Sequence, residues 1–387
     1  MKIALVINDD FTMWHFRGGL ITALLRRGHD VTTVTPPGPY VAKLEALGAR
    51  HIAVPMDRFM NPGNDFLTMI RLYRVFRRGR YDIVHNMQIK PAVFGSIAAR
   101  LARVPWVVSL VPGLGYPFFV SEPGVRLKAL AWLILELLRL SGRLSDKVWF
   151  QNPDDMAFFI ARGLVGRDRA VLIRGGGVDV EQYSPESVDP GRVLALRQEL
   201  GLDGAGPVVV MVVARMIWCK GVREFIEAAE RLRSTAPSVR FVLVGPFEHG
   251  HPDAIPPAYF QDKTAPNFIA LTHFRTDIRE ILALAAAVVL PSYFREGVPR
   301  VLLEALALAK PIVTTDRPGC REVVDDGTNG YLVPARDSAA LAGAIGRLVE
   351  DEGTREKFGR CSRWKAETEF AESIIVKRII TEVYGLP

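Results

Sequence analysis

Cysteine is scarce in this chain, with only Cys219, Cys320 and Cys361 among 387 residues. They are odd in number, widely spaced and free of any CxxC pair, which speaks against a disulfide framework or a zinc cluster and fits a reducing cytosol. A long hydrophobic run is also missing. The nearest, Leu127 to Leu140, is interrupted by Lys128, Glu136 and Arg139 and falls short of the roughly 20 residues that span a bilayer. The amino terminus, MKIALVINDD, has no apolar core and cleavage site of a signal peptide and reads as a first strand. No GxGxxG follows that strand, where the sequence is NDDFTMWHFRGGL, which argues against a dinucleotide-dependent oxidoreductase. The GxxxxGK[ST] loop of a nucleotide phosphohydrolase is absent, and so is any DxD pair. No metal and no cofactor are therefore expected.

What is present is an ordinary folded composition, 49% hydrophobic and 24% charged, in a chain long enough for two cores. Its net charge of +7 is unevenly placed. Residues 1–180 hold 24 Lys and Arg against 14 Asp and Glu, and the remainder is slightly acidic. A basic amino-terminal half suits nucleic acid, an anionic membrane surface or a phosphorylated substrate, and charge alone does not choose among them.

Short β-rich runs alternate with helical patterns from the first residue: Ile3 to Ile7, Val31 to Val34, His51 to Val54, Asp82 to His85, Trp106 to Leu110 and Val148 to Phe150. This rhythm predicts a parallel sheet with crossover helices. Residues 175–207, rich in Gly, Ser and Pro, read as a hinge. A second alternation follows, with strands at Val208 to Val213, Phe241 to Val244, Phe268 to Leu271, Val288 to Leu290 and Ile312 to Thr314. The predicted fold class is thus α/β, with two Rossmann-like domains, 1–180 and 181–364, and a carboxy-terminal helix of about 365–387 packed back on the first. Open parallel sheets bind ligands beyond the carboxyl ends of their strands, so two of them joined by a hinge are expected to face a central cleft.

The most informative stretch is PSYFREGVPRVLLEALALAKPIVTTD. Glu296 and Glu304 stand seven residues apart, the first in a loop after a buried strand and the second inside an apolar helix. Pro299 suits the helix's first turn, leaving the N–H groups of Arg300, Val301 and Leu302 to meet an anion such as a diphosphate. Glu304, among leucines, needs hydrogen-bond donors, which a ribose diol supplies, and from spacing alone the two acids also read as ordinary loop and surface-helix carboxylates. Earlier, a buried strand runs into Arg215, then Lys220 and Gly221. Two cations at the carboxyl end of a strand suit a diphosphate leaving group, and taken singly either also reads as a solvated loop residue.

The order Arg215, Lys220, Glu296, Glu304, followed by PIVTTDRPGCREVVDDGTNGYLVP, resembles the carboxy-terminal domain of family 4 retaining glycosyltransferases of GT-B fold. HNMQIKPAVFGSIAARLARVPWVVSLVPGLGY and FQNPDDMAFFIARGLV extend the resemblance over the whole chain, toward bacterial members that build polysaccharides and lipid-linked oligosaccharides. It implies that Arg215 and Lys220 serve the donor diphosphate, Glu296 the donor sugar and Glu304 the ribose, with Gly297, Val298, Arg300 and Val301 completing the donor site. Gly18 and Gly19 match the place where donor phosphates approach the amino-terminal backbone. Two positions depart from the family pattern: Ser109 and Pro112 stand where many members carry a His, and Pro299 where many carry a Gly. UDP as the nucleotide, an N-acetylhexosamine or hexose as the sugar, and retention of anomeric configuration are implied by the resemblance alone.

The amino-terminal half is expected to hold the acceptor, a polyprenyl-diphosphate-linked saccharide. His15 and Arg17 in the first loop, His85 and Lys90 after the fourth strand, and Gly113 and Gly115 after the fifth are its candidates. For His85 a structural and a catalytic role both fit. RLYRVFRRGRYD places Arg71, Arg74, Arg77 and Arg78 at helical spacing. This helix and that of residues 127–140 fit either an anionic membrane surface or ordinary solvated and core-packed helices. The amino-terminal charge favours the membrane, with a cytoplasmic protein attached peripherally to the inner face of the cell membrane. A nucleic-acid partner is not expected, since the half with the donor-type cations is slightly acidic. A sugar-nucleotide epimerase or a phosphorylase of the same fold is the nearest rival.

Overall fold

In the computed structural model the described residues are 1–57, 61–111, 113, 124–260 and 267–387. They form two units, Met1–Gly177 with Glu372–Pro387, and Val178–Ala371. The chain leaves the first unit at 177, against the 180 predicted, and returns at 372 rather than about 365.

Unit 1 holds β1 (Lys2–Val6), α1 (Asp10–Arg26), β2 (Asp30–Thr35), α2 (Val41–Ala46), β3 (Arg50–Ala53), α3 (Pro62–Gly79), β4 (Ile83–Met87), a π-helical turn Pro91–Gly95 running into α4 (Ser96–Leu101), β5 (Trp106–Leu110), α5 (Val125–Leu144), β6 (Lys147–Phe150), α6 (Pro153–Ala161) and β7 (Ala170–Leu172). Its sheet is parallel, in the order β3-β2-β1-β4-β5-β6-β7. Asp or Asn caps α1, α3 and α6: Asp9 accepts from the Thr12 N–H at 2.6 Å, Asn61 from the Asn64 N–H at 3.4 Å and Asn152 from the Asp155 N–H at 2.7 Å, satisfying donors that helix starts leave orphaned.

The alternation of β1 sorts its residues between two cores. Ile3 and Leu5 pack with Met13, Leu20 and Leu24 of α1, while Ala4 and Val6 pack with Leu72 and Phe76 of α3 and Ala98 of α4. The carboxy-terminal segment closes the first of these cores through Ile375, Ile379 and Ile380. The Trp106 indole N–H donates to the Val383 carbonyl at 3.0 Å and Arg378 to the Leu172 carbonyl at 3.0 Å, which ties that segment to the sheet.

Unit 2 holds α7 (Pro190–Glu199), β8 (Val208–Val212), α8 (Val222–Leu232), β9 (Arg240–Val244), β10 (Phe268–Leu271), α9 (Ile278–Leu284), β11 (Ala287–Leu290), α10 (Arg300–Ala307), β12 (Ile312–Thr315), β13 (Gly330–Val333), α11 (Ser338–Glu350) and α12 (Glu352–Lys365); α13 (Glu372–Arg378) then rejoins unit 1. The order β10-β9-β8-β11-β12-β13 is again all parallel. Every residue of β8 and β11 is buried, as expected for parallel strands covered on both faces. β7 and β13, each at one edge of its sheet, were not predicted from the sequence. In each sheet the strand order reverses between two central strands, β1 and β4 in one and β8 and β11 in the other. The carboxyl ends of those pairs are where open α/β sheets take ligands.

Candidate active site

In unit 2 the donor-side candidates gather at that switch point, with Arg215 and Lys220 following β8 and Glu296 following β11. Three contacts join the two loops. The Tyr293 N–H and the Ser292 hydroxyl both donate to the Cys219 carbonyl, at 3.0 and 3.1 Å, and Gly221 lies against Pro291 at φ +81°. A Cβ at Gly221 would stand 2.2 Å from the Pro291 carbonyl oxygen, so only glycine fits.

Here Lys220 Nζ meets Glu296 Oε1 at 2.5 Å, and the Ser292 hydroxyl lies 2.9 Å from the same oxygen. Lys220 also lies 5.6 Å from the centre of the Phe294 ring. Arg215 approaches Glu248 at 4.0 Å. Glu296 is further fixed by its backbone, whose N–H donates to the Pro318 carbonyl at 3.3 Å. Burial, with the Glu296 charge as the second cause, pushes the nearby Cys320 thiol up to about 12, so it stays protonated at neutral pH.

Glu304 sits inside α10 as predicted, and the protein itself supplies its donors. Arg300 Nε lies 2.8 Å from its carboxylate, and the Tyr183 hydroxyl is a further hydrogen-bond partner. Burial first, and then the Glu304 charge, raise the Tyr183 phenol, so Tyr183 is a neutral donor at neutral pH. Pro299 departs from its predicted place. It is the N-cap of α10, not its first turn, and its carbonyl accepts the Leu302 N–H at 3.1 Å. Leu302 therefore has no amide to offer an anion. Val298 is buried, and Gly297 has its carbonyl against Gly319.

Unit 1 revises more of the predicted positions. The Asp9 cap starts α1 at Asp10, so His15, Arg17, Gly18 and Gly19 lie inside a helix and not in a loop. The amides of Gly18 and Gly19 belong to the helical ladder and cannot cradle a phosphate. At Gly19 the missing side chain makes room for the Glu372 carboxylate, which a Cβ would meet at 2.0 Å. His15 stacks near Phe11 and Tyr40 at 4.2 and 5.1 Å between ring centres.

Arg17 is buried, its Nε 3.1 Å from the Met87 sulfur and its guanidinium 4.9 Å from the Trp149 ring centre. His85 is the third residue of β4, not a residue beyond it, and is fully buried. Its Nδ1 and the Tyr384 hydroxyl are hydrogen-bonded at 2.8 Å. Burial, and then the Arg17 charge, hold it well below its ordinary pKa. These contacts make it a neutral histidine joining the sheet to the carboxy-terminal segment. Lys90 pairs with Asp65 on α3 at 2.6 Å. Gly113 is half-buried beyond β5. Gly115 lies outside the described residues.

Two residues of this arrangement went unnoticed in the sequence. Ser292, the second residue after a fully buried strand and next to Glu296 in space, had a weak signal in its position; Tyr183, in the hinge stretch, had none.

Residues 207–351 match the family described as glycosyl transferases group 1, and residues 13–176 the glycosyl transferase 4-like domain. N,N'-diacetylbacillosaminyl-diphospho-undecaprenol alpha-1,3-N-acetylgalactosaminyltransferase of Campylobacter jejuni is 29% identical, over 98% of this chain and 97% of its own length. Alpha-maltose-1-phosphate synthase of Mycolicibacterium smegmatis is 33% identical, over 86% of this chain and 87% of its own. The crystal structure of Anabaena Alr3699/HepE in complex with UDP-glucose aligns over the whole of both chains, with a TM-score of 0.80 at 22% identity.

Proposed function

This chain belongs to the group 1 glycosyl transferases and is a family 4 glycosyltransferase of GT-B fold, and from that premise we propose that it moves an N-acetylhexosamine or hexose from a UDP-sugar to a polyprenyl-diphosphate-linked saccharide, with retention at the anomeric carbon. Surface polysaccharide or glycan assembly is the setting. The acceptor class rests on relatives named for diphospho-undecaprenol substrates, such as the Escherichia coli UDP-Gal:alpha-D-GlcNAc-diphosphoundecaprenol alpha-1,3-galactosyltransferase, 29% identical over 74% of this chain.

The observation that carries the reading is the convergence of Lys220, Glu296 and Ser292 at the unit 2 switch point, with Arg215 leaving the same strand end. In sugar transfer the bond from the anomeric carbon to the diphosphate oxygen breaks, an acceptor hydroxyl oxygen bonds to that carbon and gives up its proton to the departing diphosphate, and charge grows on the leaving group while the sugar gains oxocarbenium character. Preorganised cations stabilise that charge in the transition state. Lys220 and Arg215 serve as these cations, which makes the reaction independent of a divalent metal. Glu296 faces the sugar, and Glu304 with Tyr183 takes the ribose hydroxyls.

In unit 1, Lys90 and the residues near it at the carboxyl ends of β1 and β4 face the acceptor. Arg17 and His85 are too buried for direct contact and shape the ground beneath it. The protein works in the cytoplasm, attached peripherally to the inner face of the cell membrane. Among the described residues no helix is long and apolar enough to cross a membrane.

Incubation with UDP-sugars and a short-chain polyprenyl-diphosphate saccharide tests the reading. A glycosylated product carrying the donor's anomeric configuration is the expected outcome. Rearranged sugar nucleotide formed without acceptor would instead make the protein an epimerase.

A further inference from the structure

Lys220 ends a single 3-10 turn, Trp218–Lys220, and a turn that short has little of its own to hold its orientation. The contacts of Ser292 and Tyr293 with the Cys219 carbonyl steady it from the β11 side. Residues 246–260, which follow β9, hold it from the other. A Cβ at Gly245 would stand 2.3 Å from the Val213 carbonyl oxygen, so this stretch leaves β9 flush against the end of β8. It then runs along the loop that leads to Lys220. The Met216 N–H donates to the Pro246 carbonyl, the Ile255 N–H to the Met216 carbonyl and the Trp218 N–H to the Asp253 carbonyl, each at 3.0 Å. The Trp218 ring meets Tyr259 edge to face, with 4.8 Å between ring centres.

Asp253 grips the turn through its side chain as well. Its Oδ2 accepts the Cys219 N–H at 2.7 Å, the amide immediately before Lys220. The same carboxylate takes a hydrogen bond from the Cys219 thiol. Burial first, and then this bond, push the thiol pKa up, so Cys219 stays protonated as a donor. Asp253 is fixed in its turn by local chemistry. The Ala254 N–H closes a β-turn on the His251 carbonyl at 3.0 Å, with Pro252 at the second position that suits it, and the Asp253 N–H donates to His251 Nδ1 at 3.1 Å. Near a site suited to a diphosphate, a carboxylate is unfavourable on charge alone. Here its lone pairs are taken by the Cys219 amide and thiol, where a charged acceptor holds more firmly than a neutral one.

We propose that Asp253 is a positioning residue for sugar transfer, holding the Cys219 amide so that the turn aims Lys220 at the donor diphosphate. This deepens, and rests on, the reading of Lys220 as a cation for the leaving group. Asp253 acts through Lys220 and not on the substrate, from a place 34 positions beyond Cys219 in sequence. Without the carboxylate, the Cys219 amide and thiol lose their acceptor and the turn relaxes toward water. A displacement of the ammonium by about 1 Å is enough to slow transfer about a hundredfold.

The test compares full-length Asp253→Ala, Asp253→Asn, Lys220→Ala and the double variant Asp253→Ala/Lys220→Ala. Calorimetric UDP affinity, transfer from a UDP-sugar to a short-chain polyprenyl-diphosphate saccharide, and thermal melting are measured for each. Asp253→Ala should lower kcat at least about tenfold and weaken UDP binding. Asp253→Asn keeps an oxygen for the Cys219 N–H and should bring turnover back to within about threefold of wild type. In the Lys220→Ala background, Asp253→Ala should slow transfer by less than about twofold more, because a residue that acts through Lys220 then has nothing to position. A merely structural residue slows both backgrounds by the same factor. That equality overturns the proposal, as does an Asp253→Ala enzyme within about twofold of wild type or an Asp253→Asn enzyme as slow as Asp253→Ala. If Asp253→Ala does not fold, Asp253→Ser replaces it in the cycle and the same outcomes decide. Lys220→Ala that transfers at the wild-type rate removes the donor-site reading itself; Lys220→Ala that is slowed while Asp253→Ala is not removes the positioning role alone.

Discussion

Lys220 Nζ and Glu296 Oε1 lie 2.5 Å apart, so the cation suited to a donor diphosphate is already neutralised by the carboxylate suited to the donor sugar. The pair is largely shielded, and Ser292 holds the same carboxylate oxygen. On the proposed assignment, a donor entering this site exchanges its diphosphate for Glu296 as the partner of Lys220. Removing the carboxylate therefore frees the cation. Glu296→Gln should bind free UDP as tightly as wild type or more tightly, while transfer falls by about a hundredfold or more. Calorimetric UDP affinity set against turnover checks this, and loss of both together would remove Glu296 from the sugar.

Lys220→Ala and Arg215→Ala should behave differently, because in the proposed mechanism each removes charge stabilisation that grows in the transition state. Turnover should drop about a hundredfold or more in each, in line with the loss of one preorganised donor, and UDP should bind more weakly. The same logic predicts that activity survives excess EDTA. Turnover that EDTA abolishes and magnesium or manganese restores would show that the two cations do not suffice.

In the proposed reading Glu304 and Tyr183 address a part of the donor that does not change during reaction. Glu304→Ala should raise the donor KM and weaken UDP binding with kcat moved least, since uniform binding lowers KM without accelerating chemistry. Tyr183→Phe should reproduce a weaker form of the same effect, because it removes one hydrogen bond and leaves the carboxylate. A Tyr183→Phe enzyme with unchanged KM and reduced kcat would contradict the assignment. Only half of this arrangement was legible in the sequence. The sequence put Arg215 and Lys220 after β8, Glu296 after β11 and Glu304 inside a helix, as the fold has them, because strand ends fix loop positions. Tyr183 gave no sign, since its meeting with α10 depends on how the hinge stretch folds.

His85 shows the limit from the other side. Its place near the end of a predicted strand suggested the ligand edge, yet strand alternation turns it toward Trp149 and Tyr384, and Tyr384 lies 299 positions away in sequence. Gly18 and Gly19 likewise resembled a phosphate loop until the Asp9 cap is seen to begin the helix before them. Local pattern gives strands and caps, but side-chain direction and distant partners come only with the fold.

The environment of His85 sets a pH dependence. Burial and Arg17 lower its pKa, so it stays neutral in the folded protein while the unfolded chain titrates near 6.5. Below that value the unfolded state binds a proton that the folded state refuses. Stability therefore falls as pH drops from about 6.5 toward the depressed folded value, by up to about 1.4 kcal/mol per pH unit, and this residue adds no slope above neutrality. Tm measured between pH 7.5 and 5 should decline more steeply for wild type than for His85→Gln. Equal slopes would mean that His85 does not control the acid limb.

Gly319 gives the sharpest link between backbone and chemistry in unit 2. Its φ is +83°, and a Cβ there would stand 2.1 Å from the Gly297 carbonyl oxygen and 2.5 Å from that of Glu296. Both obstacles are backbone atoms, so no side-chain rotation relieves them. In addition, the neighbouring Pro318 carbonyl accepts the Glu296 N–H, so any retreat of one loop pulls on the other. Gly319→Ala should then cost about 1–3 kcal/mol of stability from the strained conformation alone. It should also displace the Glu296 carboxylate from Lys220 and Ser292, and a misplacement of about 1 Å can reduce rate about a hundredfold. Gly18→Ala is the control, because nothing lies within 4 Å of a Cβ there and the position is already helical. It should leave turnover unchanged and stability unchanged or slightly raised. Thermal melts and single-turnover transfer rates for both variants separate the outcomes. A Gly319→Ala enzyme that melts lower yet transfers normally would show that the loop carrying Glu296 tolerates the shift, and the role given to that carboxylate would have to be withdrawn.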